Sequence, residues 1–503
     1  MNRSAKEQLR FFGFSLLLAI LLMTVGSMTS FLYPLHTGVD QNCFLSVAKA
    51  MADGAVLYAD IFEQKGPLLY ALHLPAALLP KLRFFGVYLV QIASWIWFFY
   101  GVRRLNGFYL PKHYAYPVAA ISGLIIVTAF CYSRGDNAEE YCLPLMMVSL
   151  ADLLYAARAE DQADGLTAGR ILKNGILAGC VLWIKFTMLG FYIGWCVLVG
   201  CMLWQRKGFL SALRAAGLVL SGMLIATLPW LIYFASNHAL WDWMYVYFYS
   251  NIALYPRSIT LWQRIVDFFG KDILWNPAMM PLILFGAGYC CRSKMLSPTR
   301  WSRISVVVTL CFLYLFVFIG GVRYRYYLLI LGVFVPIGVI ALLHLLRQHT
   351  RPIRMDRSLR IAACGGYLAV LLAAGNCLYY MEKPDAYYPQ IQFAKIMAET
   401  PNATLLNYGF LDGGFHLMSN APLPESDFFC KLNIPREHLP LMYEEQERLI
   451  TEAATDYIVL RWEMQETMEE RYRFADLYQN YQLLAVTNEV HDAYCYALFV
   501  RIQ

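Results

Sequence analysis

Charge is what this chain has least of. Asp, Glu, Lys and Arg make up 15% of its 503 residues, where a soluble domain carries about 25%. That shortfall, with 59% apolar residues, excludes an ordinary soluble protein. Ordered cysteine spacing is missing too. The 13 Cys show no CxxC or zinc-type pattern and mostly sit inside apolar runs as small core residues. His36, His73, His238 and His416 lack metal-ligand spacing. No internal repeat and no low-complexity tract is present. The net charge of +6 is modest, and nothing calls for a nucleic-acid partner.

What is present is a series of long apolar runs. Windows of about 17–25 residues are long enough to cross a bilayer. They give an α-helical multispan membrane protein with about 11 spans, near 11–32, 86–102, 115–132, 141–157, 174–189, 190–204, 209–234, 272–291, 304–320, 328–347 and 360–380. The first follows Arg3, Lys6 and Arg10 and has no small-residue cleavage site, so it reads as a retained span. Loop cations alternate in side: Arg103/Arg104, Arg158/Arg170/Lys173, Arg206/Lys207, Arg292 to Arg303 and Arg347 to Arg360 fall together. The positive-inside rule makes that side cytoplasmic. The N-terminus is then cytoplasmic. Segments 33–85, 133–140, 235–271, 321–327 and the tail from about 381 lie outside. The segment 67–85, interrupted by Pro75, Pro80, Lys81 and Arg83, reads as an interfacial helix.

After residue 380 the long apolar runs stop. Segments 403–410 and 456–462 read as short buried strands, 444–453 as a helix, and the two last apolar stretches as a hairpin. The expected organisation is a membrane module over 1–380, with outer loops 33–85 and 133–140, and a small extracytoplasmic α/β domain over 381–503.

Three outer clusters can carry chemistry. The first loop, Asp40 to Pro67, holds four acids (Asp40, Asp53, Asp60, Glu63) and two lysines (Lys49, Lys65). Its VAKAMADG stretch reads as a short helix ended by Gly54. The second is RGDNAEEY, with Asp136, Glu139 and Glu140. The third is GVRYRYYLL, with Arg323 and Arg325. Lys185, at a break in an apolar run, adds a further cation. Carboxylates serve as general bases or hold a divalent metal. Arginines bind phosphate through charge-assisted hydrogen bonds. Each has a plain alternative: Asp40 as a helix cap, Asp60 as a turn residue, Asp136 and Asn137 as the cap of the fourth span, Lys65 snorkelling, Arg323 and Arg325 as interface anchors.

Asp40 after the first span, the stretch ending in Gly54, and Tyr58-x-Asp60-x-x-Glu63-x-Lys65-Gly66-Pro67 resemble the first outer loop of GT-C membrane glycosyltransferases. The similarity is to the group containing protein O-mannosyltransferases and lipid A aminoarabinose transferases, and covers roughly residues 1–380. The resemblance implies transfer of a sugar from a polyprenyl-phosphate donor to a cell-envelope glycan, lipid or protein at the outer face, with inversion. It makes Asp40 the base. Asp136, Glu139 or Glu140 matches the acid of the second outer loop. Glu63 and Lys65 match a Glu-Lys-Pro element, although Gln64 separates them and Gly66 precedes the proline. Arg323 matches the position that contacts the donor phosphate, with Arg325 its close competitor. The resemblance leaves metal dependence open: two carboxylates can hold Mg²⁺ or Mn²⁺, or position an acceptor. Competing readings are a transporter or flippase of lipid-linked sugar, and an assembly protein that binds cell-wall polymer. Transporters commonly show repeats and mid-span ionisable groups at broken helices.

Overall fold

A computed structural model describes residues 3–79, 83–158, 163–256, 259–349, 356–489 and 494–502. Lys81, Arg351 and Arg354, and the turn of the expected terminal hairpin, lie outside the described residues. The chain is a multi-pass helical membrane protein with a small C-terminal sheet. Among the described residues, eight helices are long and apolar enough to cross a membrane, or nine counting one bent pair.

The chain divides into two compact units. The first comprises Met1–Leu32, Tyr88–Leu231 and Arg257–Leu378; the second comprises Tyr33–Val87, Ile232–Pro256 and Tyr379–Gln503. The segments 33–87 and 232–256 thus group with the tail.

The first unit is helical because apolar backbone in a bilayer must satisfy its own hydrogen bonds. Its helices include α1 (Arg3–Gly26), α4 (Phe85–Asn106, within this unit from Tyr88), α5 (Ala115–Thr128), α6 (Ala138–Arg158), α7 (Ala168–Ile184), α8 (Gly190–Lys207) and α9 (Phe209–Ser236, within this unit to Leu231). Further spans follow at Arg300–Val317, Arg325–His349 and Arg357–Ala374. α5 and α7 match expected spans but run only 14 and 17 residues. α6 is the central helix, with 89% of its apolar window buried, whereas Arg357–Ala374 has 6% buried and is peripheral. Two breaks matter. α7 stops at Lys185, whose backbone is extended, before a 3₁₀ turn leads into α8. The pair Trp262–Trp275 and Met279–Arg292 bends by 116°. Pro277 disfavours helical backbone at Asn276 before it, and Asn276 leaves the helical region there.

In the second unit, α2 (Val39–Ala52) ends as the sequence suggests. Gly54 has φ +108, its N–H bonds the Met51 carbonyl, and the Ala55 N–H reaches back to Ala50. This is a Schellman ending, which glycine adopts without strain. α3 (Pro67–Ala77) starts with Gly66 as cap and proline in its first turn, where a missing N–H costs nothing. Its eleven residues span about 16 Å, too short to cross a bilayer. The tail forms a four-stranded sheet in the order β1-β2-β4-β3. β1 (Leu405–Tyr408) and β2 (Tyr457–Glu463) are parallel, a pairing that requires a crossover connection. The helix Pro440–Thr451 lies in it. β3 (Tyr481–Glu489) and β4 (Tyr494–Arg501) are antiparallel neighbours. Leu406, Ile458, Leu460 and Phe499 fill one core, Leu405, Val459 and Leu498 another. Two covered faces explain why β1 and β2 read as unbroken apolar runs.

The helices Met279–Arg292 and Val335–His349 touch through backbone. A Cβ at Gly286 would lie 2.6 Å from the Gly338 Cα. Gly286→Ala should therefore destabilise by about 1–3 kcal/mol, read as a lower thermal midpoint in detergent.

Candidate functional site

In the first unit the RGDNAEEY loop is a tight bend. Ser133 (φ 60), Gly135 (φ 81) and Asp136 (φ 58) all lie in the left-handed region. The Arg134 carbonyl accepts from Met28 N at 2.9 Å. A side chain at Gly135 would strike Ser27. The bend puts two consecutive acids in the first turn of α6, where acids suit the helix dipole. The two have different fates.

Glu140 is buried and accepts four hydrogen bonds: Gln91 Nε2 (2.9 Å), Trp95 Nε1 (2.7 Å), Tyr132 OH (3.0 Å) and the Asp136 N–H (2.9 Å). Gln91 Oε1 accepts in turn from Ser27 and Thr29. Glu139 is also buried and pairs with Lys185 Nζ at 2.5 Å. Its other oxygen is buried and accepts no hydrogen bond among the described residues. The Lys185 ammonium lies 3.8 Å from the Tyr327 ring centroid and 5.3 Å from that of Tyr326. The break at residue 185 is what aims this lysine at both partners. Asp136 Oδ1 accepts from Tyr141 OH at 2.6 Å.

Arg323 is held by two acids that sequence reasoning missed, Asp267 (2.5 Å) and Asp272. Tyr314 OH donates to Asp272 at 2.9 Å, and Lys271 pairs with Asp267 at 3.0 Å. Two cations thus face two acids. Arg325 is exposed, donates to Ser133 Oγ at 2.9 Å and lies over the Phe130 ring. The signal for Asp267 and Asp272 was faint: two acids opening an apolar run, more than 50 residues before their partner.

The second unit holds the other expected residues. Gly38, not Asp40, is the cap of α2; Asp40 stands half-buried in its first turn. Asp60 is exposed and closes its own turn, accepting from Val56 N at 2.7 Å. Glu63 is buried and accepts from Lys65 N at 3.1 Å. Burial raises the Glu63 carboxyl above the ordinary range; Lys65 opposes this and the Asp40 charge adds to it. Lys65 Nζ lies 5.8 Å from the Phe44 ring centroid. Tyr58 (φ 69) stacks on Phe234 and Tyr247 and donates to the Lys65 carbonyl at 2.5 Å. Asp412, also unforeseen, is buried and accepts from Ser46, Asn407 and Gly414 N, fastening α2 to the segment after β1. Among the described residues no three His, Cys, Asp or Glu gather to hold a metal ion.

Two outcomes follow. Glu140→Gln turns an amide donor toward buried donors and should destabilise by about 1–3 kcal/mol, measured as a lower thermal midpoint. Glu63 binds its proton more tightly folded than unfolded, so its ionisation costs stability as pH rises above the ordinary carboxylate range. Glu63→Gln should gain thermal stability over wild type at pH 7, and the gap should close toward pH 4.

No family model matches the chain, and no curated protein does. Solved structures do. One is ArnT from Cupriavidus metallidurans bound to undecaprenyl phosphate: 14% identity, TM-score 0.62, 97% of this chain and 98% of that one. The apo state of the same protein gives 14% identity and TM-score 0.60, over 99% and 98%. From first span to terminal sheet, this chain has the GT-C fold of ArnT.

Proposed function

We propose that the protein is an integral-membrane glycosyltransferase that moves a sugar from a polyprenyl-phosphate donor to a cell-envelope acceptor. The observation that carries this reading is the likeness along nearly the whole chain to a structure solved with undecaprenyl phosphate bound. The charge distribution supports a cytoplasmic N-terminus and an outer location for residues 381–503.

The chemistry is displacement at the anomeric carbon. The acceptor hydroxyl or amine attacks, the C–O bond to lipid phosphate breaks, and the configuration inverts. Asp40 takes the acceptor proton. It is the half-buried acid of its unit's set, whereas Glu63 is enclosed and Asp60 is engaged by its own turn. The leaving phosphate needs its charge neutralised. Lys65 and Arg325 are the cations offered for that task, each to be tested alone. Arg323, already facing Asp267 and Asp272, is assigned to structure. Glu139 and Lys185 neutralise each other in the first unit, so their part is positioning.

The test uses purified protein and a polyprenyl-phosphate sugar, with turnover followed by release of the lipid phosphate. Asp40→Asn should lower turnover about 10²–10⁴-fold, the range for loss of a general base, with the elution profile unchanged. Unaltered turnover overturns the assignment. Arg325→Gln and Lys65→Gln should each weaken kcat/KM for the donor about tenfold or more, the loss of a charge-assisted hydrogen bond. Arg323→Gln should lower stability first, because it leaves Asp272 buried without its cation.

A further inference from the structure

The second unit holds an open pocket that none of the proposed transfer residues lines. Asn42, Leu45 and Lys49 of α2 form one wall. Their spacing of three and four residues puts them on one helix face. Asp40 lies on the opposite face, because about two and a half turns separate it from Lys49. Phe44, under the Lys65 ammonium, shares the Asp40 side. The helix thus stands between the pocket and the proposed base. The other walls are apolar: Ala76, Phe84 and Leu417 pack with Leu45 in one cluster. Just beyond Ala77 of the pocket lining, Leu78 and Leu79 are exposed. The polar side is cationic. Lys49 is half-buried, and its ammonium donates to Asn420 Oδ1, a neutral acceptor, at 2.6 Å. Burial lowers the Lys49 ammonium from its ordinary range, and the Asp53 charge opposes this. Arg83 is exposed and gives an N–H to the Pro34 carbonyl at 2.5 Å, out of the five that a guanidinium carries. Its backbone is held at φ 47, a strained setting for a side chain of this size. No acid lines the pocket, and among the described residues neither cation forms an ion pair with a carboxylate. Arg323 and Lys185, by contrast, each meet an acid.

We propose that this pocket binds the phosphate headgroup of an anionic bilayer phospholipid, with Lys49 and Arg83 on the phosphate and an acyl chain along the apolar wall toward Leu78 and Leu79. Two cations without a counter-charge match an anion, and both residue types bind phosphate through charge-assisted hydrogen bonds. A free phosphate leaves the apolar wall in water, whereas an acyl chain covers it. The short apolar helix α3, which lines the same pocket, is suited to lie at the bilayer surface where such lipids are at hand. The bound lipid joins α2, the end of α3 and the segment 417–420, all within the second unit. It does not react, and the proposal does not depend on the transfer reaction.

The experiment titrates delipidated full-length protein in detergent with phosphatidylglycerol, with phosphatidylcholine of the same chain length, and with inorganic phosphate, following the thermal midpoint. Phosphatidylglycerol should raise the midpoint by several degrees, as a ligand of the folded state does, while the other two leave it in place. Lys49→Gln and Arg83→Gln should each weaken the apparent affinity about tenfold, the loss of a charge-assisted hydrogen bond. Lys395→Gln, at an exposed cation of the same unit that faces Asp385, should bind as wild type does. No rise with phosphatidylglycerol, or an equal rise with phosphatidylcholine, overturns the proposal. An equal rise with inorganic phosphate makes this a free-phosphate site and overturns the lipid. Unchanged affinity in both pocket variants overturns the location. A photoactivatable phosphatidylglycerol on the wild-type protein decides the location even where a variant fails to fold. Adducts on peptides containing Phe84 or Leu417 support the pocket, and adducts only elsewhere overturn it. Sugar transfer is not read in any arm, so failure of the proposed activity leaves this test intact.

Discussion

The first unit depends on one carboxylate being paired. Glu140 is buried at the start of the central helix, and a bare carboxylate there would be prohibitively costly. Its four donors come from α4, from the turn before the bend, and from the bend's own backbone. Gln91 extends the network to Ser27 and Thr29, where the chain leaves α1. The strained residues 133–136 follow from this. Left-handed backbone at Ser133 and Asp136 costs energy, but it turns the Asp136 N–H onto the Glu140 oxygen. The acid next in sequence, Glu139, is thereby placed on another side of the helix, toward Lys185.

Pairing also sorts the charges that stood together as candidates. A membrane protein with so few of them places most against a partner. Arg323 sits between two aspartates, Lys185 on Glu139, and Glu140 under four donors. Asp40 is half-buried and Arg325 exposed, and Lys65 is held by its backbone with its ammonium over an aromatic ring. This sorting is physical and comes after folding, because each partner is remote in sequence.

That remoteness sets what the sequence can disclose. Spans were legible because apolar length is a local property, and the strands Leu405–Tyr408 and Tyr457–Glu463 because both their faces are covered. The ending of α2 was legible in Gly54 alone. Gln91 and Trp95 carried no sign that they serve Glu140, more than 40 residues on. Asp267 and Asp272 looked like edges of a loop, since nothing nearby in sequence announces Arg323. The grouping of 33–87 and 232–256 with the tail has the same origin. Bonds such as Phe62 N to the Asp427 carbonyl and Asn251 to the Gln64 carbonyl join segments with no shared local pattern.

The first loop makes its own selection between acids. Glu63 is enclosed, and burial raises its carboxyl above the ordinary range, with the Asp40 charge adding to the effect. Asp40 is half-buried. The loop between them is held by Tyr58, kept in a left-handed conformation by stacking on Phe234 and Tyr247, with its hydroxyl on the Lys65 carbonyl. A strained tyrosine that fixes the backbone of a lysine is an expensive arrangement for a mere connector. It is understandable if the position of Lys65 relative to Asp40 and Glu63 has to be exact for the chemistry.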